Sequence, residues 1–247
     1  MAIYLKKFKN HTQYENYING SGATLPNVSI CKTEGDVHYS PYVDPYAGHD
    51  YVEIGGLKWA TMNIGANSIA DTGLYFQWGD TQGYTASQVG SGEGQKAFIW
   101  TDYKYWTGDT GSGSSGMTKY NSTDGKTILE ESDDAVIANW GGKWRMPTKD
   151  EYAALGDAVT TAWTQVDGVY GMLCTDKTDS SKTLFFPPCG YCYNGNVRYV
   201  SVYGYYWSSS RYSGESSRNL YFNSGSVDWQ FYYNRCIGLP VRGVVDE

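Results

Sequence analysis

From Thr183 to Glu247 the chain has no lysine and no methionine, and ten of its tyrosines fall between Tyr191 and Tyr233. Tyr, Ser, Asn, Gly and Arg fill the places between short apolar runs. Such a segment suits strands and tight turns. It is also the palette of a recognition surface. Tyr offers large contact area with few rotors, Ser, Asn and Gly offer adaptable hydrogen bonds, and Arg adds anchors. A plain strand preference would also enrich tyrosine. The bias is local and sits in a frame of apolar and Gly residues, and that combination favours binding.

The rest of the composition agrees with a sheet- and loop-rich chain. Charged residues are 18% of the sequence, against 30 Gly and 24 Tyr. At 247 residues the chain can bury a large core, as one domain or as a domain with an appendage. The net charge is −7 and no basic cluster exists, so nucleic acid is a poor partner. Met1-Ala-Ile-Tyr-Leu-Lys-Lys-Phe8 runs into polar residues and reads as neither a secretory nor a lipoprotein leader. No stretch approaches the ~20 apolar residues of a membrane span.

Cysteines stand at Cys31, Cys174, Cys189, Cys192 and Cys236, an odd number that argues against a complete disulfide framework. Cys189-Gly-Tyr-Cys192 has CxxC spacing. Pro187-Pro188 precedes it and a Gly/Asn-rich stretch follows, so no helix is there to lower a thiolate pKa. The histidines, His11, His38 and His49, are all N-terminal, which leaves zinc short of ligands. The pair reads as small residues in a turn.

The expected class is α+β, with residues 1–45 as a small β appendage and linker and 46–247 as the main domain. Within the appendage, Leu25–Cys31 and Val37–Tyr39 suggest a hairpin at Glu34-Gly-Asp36, too small to hold a core alone. In the main domain Tyr51–Ile54 and Leu57–Ala60 flank Gly55-Gly56 as a hairpin. Residues 83–116 read as long loops anchored by Trp100, Tyr103 and Trp106. Helices are expected near 132–140, capped by Ser132 and stopped at Gly141-Gly142, and near 148–157, opened by the capping box Thr148-Lys-Asp-Glu151. Asp133-Asp134 reads as first-turn helix charge and Glu130-Glu131 as a solvated approach to it. Strand signals resume after Cys174, at Leu184–Phe186, Tyr205–Trp207, Asn219–Phe222, Val227–Phe231 and Leu239–Val244. Leu220 and Phe222 should share a face, as should Val227, Trp229 and Phe231. Trp59, Trp78, Trp140, Trp144 and Trp207 are expected in the core; Trp106 and Trp229 are left open.

Trp140-Gly-Gly-Lys-Trp-Arg-Met-Pro-Thr148 resembles the helix-to-helix crossing of bacterial C-type-lectin-like domains, the branch shared by formylglycine-generating enzymes and Fibrobacter paralogous domains. Tyr206-Trp-Ser-Ser-Ser210, Leu220-Tyr-Phe222, Arg235-Cys-Ile-Gly238 and Val241-Arg-Gly-Val244 resemble the C-terminal frame of the same family. Over residues 51–245 the chain is similar to the variable proteins of diversity-generating retroelements, several of which are phage receptor-binding proteins. The N-terminal Met1–Phe8 and Leu25-Pro-Asn-Val-Ser29 resemble the openings of Bacteroides phage structural proteins.

The resemblance implies a C-type-lectin-like fold and a virion or prophage protein. Residues 1–45 would attach it to a particle or to its own copies, and the C-terminal half would meet a bacterial surface protein or glycan. It also implies diversification at adenines, chiefly in Asn codons ending in C, which cannot yield Lys, Met, Glu, Gln or Trp. Glu215, Trp229 and Gln230 are then fixed frame. The expected ligand-binding residues are Tyr205, Arg211, Tyr212, Ser213, Ser216, Asn219, Tyr221, Asn223, Asp228, Tyr232, Tyr233 and Asn234, as one mostly exposed patch.

Two alternatives share the fold. A formylglycine-generating-type oxidase needs a C-terminal cysteine pair bound to copper, whereas Cys236 stands alone there and no His follows His49. A calcium lectin needs 6–8 oxygen ligands, and Asn194, Asn196 and Glu215 are too few. A further alternative is a non-variable structural or carbohydrate-binding paralogue. The expectation is a protein without catalytic activity, cofactor or metal.

Overall fold

The computed structural model describes residues 46–108 and 116–245. The appendage hairpin and the attachment role given to residues 1–45 lie outside the described residues. The compact unit His49–Glu247 is mixed and sheet-rich, in agreement with the α+β expectation.

Strand β1 (Tyr51–Ile54) and strand β2 (Leu57–Asn63) form the expected hairpin. Gly55 and Gly56 both take positive φ, 63° and 81°, the pair of left-handed residues that a two-residue turn matched to strand twist requires. The C-terminal strand β11 (Arg242–Val245) returns to pair with β2, giving the order β1-β2-β11.

Among the described residues from 64 to 134 regular structure is sparse. Buried aromatics hold the chain instead, among them Tyr75, Phe76, Trp78, Phe98, Trp100, Tyr103, Trp106 and Tyr120. The Asp102 carboxylate accepts from the backbone N–H groups of Ala97, Phe98 and Ile99 at 2.9–3.1 Å, so one side chain organises a loop that has no ladder. The anchors expected in this stretch are all buried.

Helix α1 (Ala135–Trp140) is shorter than expected and its cap is Asp134, not Ser132. Residues 131–133 form a separate 3-10 turn. Asp134 Oδ1 accepts from Val136 and Ile137, and its Oδ2 accepts from Met146 at 2.8 Å, so it ties both ends of the helix crossing. Gly141, at φ 65°, stops the helix. Helix α2 (Lys149–Ala158) opens on the expected capping box, with Arg145 bidentate to Glu151 at 2.6 and 2.9 Å. Trp59, Trp78, Trp144 and Trp207 are in the core as expected. Trp140 is not. It is half-buried and stacks on His49 with ring centroids 4.0 Å apart.

Strand signals do not wait for Cys174. Strands β3 (Val159–Val166) and β4 (Val169–Asp176) form a long hairpin in full register, and β5 (Thr183–Phe186) completes the order β3-β4-β5. A second unanticipated hairpin joins β6 (Tyr191–Tyr193) to β7 (Asn196–Arg198). The third sheet, β10-β9-β8, contains β8 (Gly204–Arg211), β9 (Ser216–Phe222) and β10 (Val227–Asn234).

The main core lies where the three larger sheets and α2 converge. Ile54, Trp59, Tyr152, Leu155, Met172, Phe186, Tyr206, Leu220, Phe222 and Val244 are packed there. Gly156 explains itself. A Cβ at that helical position would lie 2.5 Å from the Trp229 indole, so glycine lets β10 lie against α2.

Candidate functional site

The expected site residues lie on or beside the sheet β10-β9-β8. Its register decides which of them meet. Tyr205 sits opposite Tyr221, Tyr221 opposite Asp228, and Ser217 opposite Tyr233. Between Asp228 and Phe231 strand β10 advances three residues while β9 advances two. This bulge breaks the alternation. Trp229 stays against the core, but Phe231 leaves its face and joins Asn219 and Tyr221, contrary to the expectation that Val227, Trp229 and Phe231 share one side.

The result is a continuous aromatic array. Tyr205 has Tyr221 at 5.1 Å, Tyr233 at 5.6 Å and Tyr191 at 5.6 Å between ring centroids. Tyr191 continues to Tyr199 at 5.8 Å, and Tyr199 to Tyr203 at 5.2 Å. On the other side Tyr221 meets Phe231 at 5.2 Å. Tyr232 is paired with Arg218, one residue out of phase with Phe231 and Tyr233. Its ring nevertheless lies 5.6 Å from that of Phe231, so the array wraps round the outer strand. Tyr232 then stacks on Tyr212 at 4.3 Å, and the Arg218 guanidinium lies 4.1 Å from the Tyr212 centroid. Tyr205, Ser216, Phe231, Tyr232, Tyr233 and Asn234 line a shallow concavity of about 280 Å³.

The twelve expected residues are not a mostly exposed patch. Tyr212, Asp228 and Tyr232 are exposed, while Arg211, Ser213, Tyr221, Asn223, Tyr233 and Asn234 are half-buried. Tyr205, Ser216 and Asn219 are buried. Asn219 is wholly enclosed, on the middle strand beneath the rings. Its amide pairs with the Tyr233 N–H and the Leu220 carbonyl, both at 3.2 Å, in the orientation that satisfies both. It is a fastening for β10 rather than a contact residue. Three others shape the display from within. Asn223 Oδ1 accepts from Gly225 and Ser226 to close the β9–β10 turn. Asp228 Oδ1 accepts from Gln230 inside the bulge. Arg211 donates to the carbonyls of Asn121 and Ser213.

The array also contains residues outside the expected set: Tyr191, Tyr199, Tyr203, Arg218 and Phe231. Beside them Val200 and Val202 are exposed at 46% and 48%. Tyr199 and Ser201 hold positive φ of 58° and 66°, a backbone that costs energy for such residues. The loop is fixed by Ser201 N–H to Pro188 O and Gly190 N–H to Tyr203 O, both 2.7 Å. The signal that would have found it is Asn194-Gly195, a two-residue hairpin turn at φ 51° and 69°.

Burial and neighbouring phenols push Tyr205 and Tyr233 well above the ordinary tyrosine pKa. Their folded pKa exceeds the unfolded value, so stability is present below about pH 10 and falls as pH rises beyond it. The phenolate absorbance should therefore rise in two stages. Tyr205 and Tyr233 form the later stage, because their phenols ionise only with cooperative unfolding. Phenolate absorbance that reached its full value with the fold still intact would contradict the packing of Tyr205 and Tyr233.

The described cysteines Cys174, Cys189, Cys192 and Cys236 are free and buried. Burial pushes the Cys189 thiol up to about 11 and Cys174 up to about 12. Asn196 Nδ2 donates to the Asn194 carbonyl within the β6–β7 turn, and Glu215 belongs to the β8–β9 connection. Among the described residues no group of three His, Cys, Asp or Glu is placed to hold a metal ion, and no helix is long and apolar enough to cross a membrane. Asp133 is not free helix charge. It is buried with Lys104 at 3.2 Å, the Tyr120 hydroxyl at 2.5 Å, and Lys119. Glu130 pairs with Lys119 and Lys126. Comparison with known protein families, curated proteins and solved structures gives no match.

Proposed function

We propose that this chain is a non-catalytic display protein of the variable receptor-binding type. In this reading the domain is C-type-lectin-like and meets a bacterial surface molecule through the aromatic array. The observation that carries the reading is the array itself, nine rings in a continuous chain of contacts, five of them on a three-stranded sheet and four on β6 and the connections beside it. Rings already packed on one another lose little freedom when a partner arrives, and that is the economy of a preorganised surface. The frame supports it from below: Leu220 and Phe222, on the opposite face of the sheet, are fully buried, and Trp229 is held in the notch of Gly156. The raised thiol pKa values and burial of the cysteines favour binding over cysteine-based oxidation.

Residues 1–45 fasten the chain to a virion or to its own copies in this proposal. Several copies on one particle raise weak single contacts by ~10²–10⁴-fold where geometry permits. Sequencing the surrounding locus and the gene in related isolates tests the variable class. The expected result is a nearly identical template repeat beside a reverse transcriptase. Substitutions should concentrate at array positions such as Tyr212, Tyr221, Tyr232 and Tyr233, while Glu215, Trp229 and Gln230 stay constant. A locus with neither element, and substitutions spread evenly over the sheet, would remove the chain from that class.

A further inference from the structure

Arg235 and Arg242 are both without exposed surface, and they are held in opposite ways. Each of the three guanidinium nitrogens of Arg242 has an acceptor. In Arg235 only Nη2 has one, the Ser213 carbonyl. Its Nε and Nη1 are buried without a hydrogen-bond partner among the described residues. The guanidinium lies 4.9 Å from the Trp78 ring centroid, a contact that a methionine thioether could also make. A buried donor left unpaired is a cost to folding. Replacing a buried cation by an apolar side chain of similar volume is often neutral or stabilising. Core stability therefore does not account for an arginine at this place.

What Arg235 does hold is the turn between β8 and β9. That turn closes on itself. The Tyr212 and Ser213 N–H groups both donate to the Ser216 carbonyl at 3.0 Å, and the Ser216 N–H donates to Ser213 Oγ at 3.3 Å. Bonds within a turn fix its shape but not its seat on the domain. The Ser213 carbonyl is where side chains seat it. Arg235 reaches that oxygen from just past β10, and Arg211 Nε reaches it from the end of β8 at 3.2 Å. The Arg235 backbone N–H adds a bond to the Glu215 carbonyl at 2.9 Å. On this turn stands Tyr212, 46% exposed and stacked on Tyr232 with ring centroids 4.3 Å apart.

We propose that Arg235 is a positioning residue of the aromatic array: its bond to the Ser213 carbonyl seats the β8–β9 turn so that the Tyr212 ring lies against Tyr232. The enclosed side chain touches no partner itself and acts through Tyr212. An arginine that costs the fold two unpaired donors is retained for the order it imposes on an exposed ring. Such order lowers what a partner must supply on arrival. The consequence for binding rests on the proposed reading of the array, whereas the seating of Tyr212 does not.

Fluorine NMR of the full chain carrying 3-fluorotyrosine at position 212 tests the seating without any ligand. The stacked Tyr232 ring shifts the label, and Tyr232→Ala in the same labelled protein gives the unstacked position. Arg235→Met should melt as the wild type does and move the signal to that unstacked position. A folded Arg235→Met protein with an unmoved signal would overturn the proposal. An Arg235→Met protein that fails to fold would overturn it too, by making Arg235 a stability residue. Binding to gut bacterial cells that the wild type recognises gives the second readout. Arg235→Met and Tyr212→Ala should each weaken it on the order of 10-fold, and the two together no further, since they remove the same contact. Fully additive losses would count against the proposal. A wild type that binds none of the cells would defeat the display reading, and the fluorine shift would still decide the role of Arg235.

Discussion

Replacing Arg242 by methionine is expected to destabilise the domain by about 3–5 kcal/mol. Arg242 has no exposed surface. Its Nε donates to Asn63 Oδ1 at 2.8 Å, Nη1 to the carbonyls of Ala60 and Thr61 at 2.9 and 2.8 Å, and Nη2 to the Phe185 carbonyl at 3.1 Å. The plane lies over Phe186 at 4.7 Å. One guanidinium from β11 thereby clamps β2 to β5 and joins two sheets. Methionine fills much of the volume but leaves four buried acceptors without this donor. Lysine should fail too, because a single ammonium cannot span the fork. The loss corresponds to about 2–4 °C of melting temperature per kcal/mol in a domain of this size. A denaturant-derived unfolding free energy that falls by less than about 1 kcal/mol would mean the sheets are held otherwise.

Asp133→Asn should cost about 2–3 kcal/mol and remove a pH dependence. That figure is discounted from the ~3–5 of a buried pair because Lys104 and Lys119 remain partly exposed. Burial alone would raise the Asp133 pKa. Lys119, Tyr105, Tyr120 and Lys104 outweigh it and hold the carboxyl well below the usual range. A depressed folded pKa contributes stability above the unfolded value near 4, lost as pH falls through the folded value. Wild-type stability should therefore decline from about pH 5 downward, more steeply than that of the variant. Equal acid sensitivity in unfolding curves of both proteins would show that Asp133 is not a principal acid-sensitive group.

The helices were legible because their signals are local. Thr148 and Glu151 cap one another within four residues, and Gly141 stops α1 by its own φ. The start of α1 was misplaced because Asp134 is chosen over Ser132 by a distant partner, the Met146 N–H. The β3–β4 and β6–β7 hairpins were also written locally, in Asp167-Gly168 and Asn194-Gly195, all at positive φ. Apolar runs do not mark these strands, and the turn residues alone carry the signal. The binding palette was plain in the tyrosines, but its faces were not. Strict alternation puts Phe231 beside Trp229, and only the extra residue in β10 moves it into the array. Asn219 looked like a display residue by type. Its burial follows from lying on the central strand opposite Trp207 and Phe231, a pairing that no local pattern states.

The central claim is that the array is what touches the partner. Binding of purified protein to a panel of gut bacterial cells, measured by flow cytometry, tests it most directly. The wild type should bind some members saturably. Tyr212→Ala, Tyr232→Ala and Tyr233→Ala together should reduce that binding on the order of 100-fold or more, in a protein that still folds. Tyr51→Ala, also at an exposed tyrosine but on β1, should leave it unchanged. A folded triple variant that binds the same cells as tightly as the wild type would contradict the account.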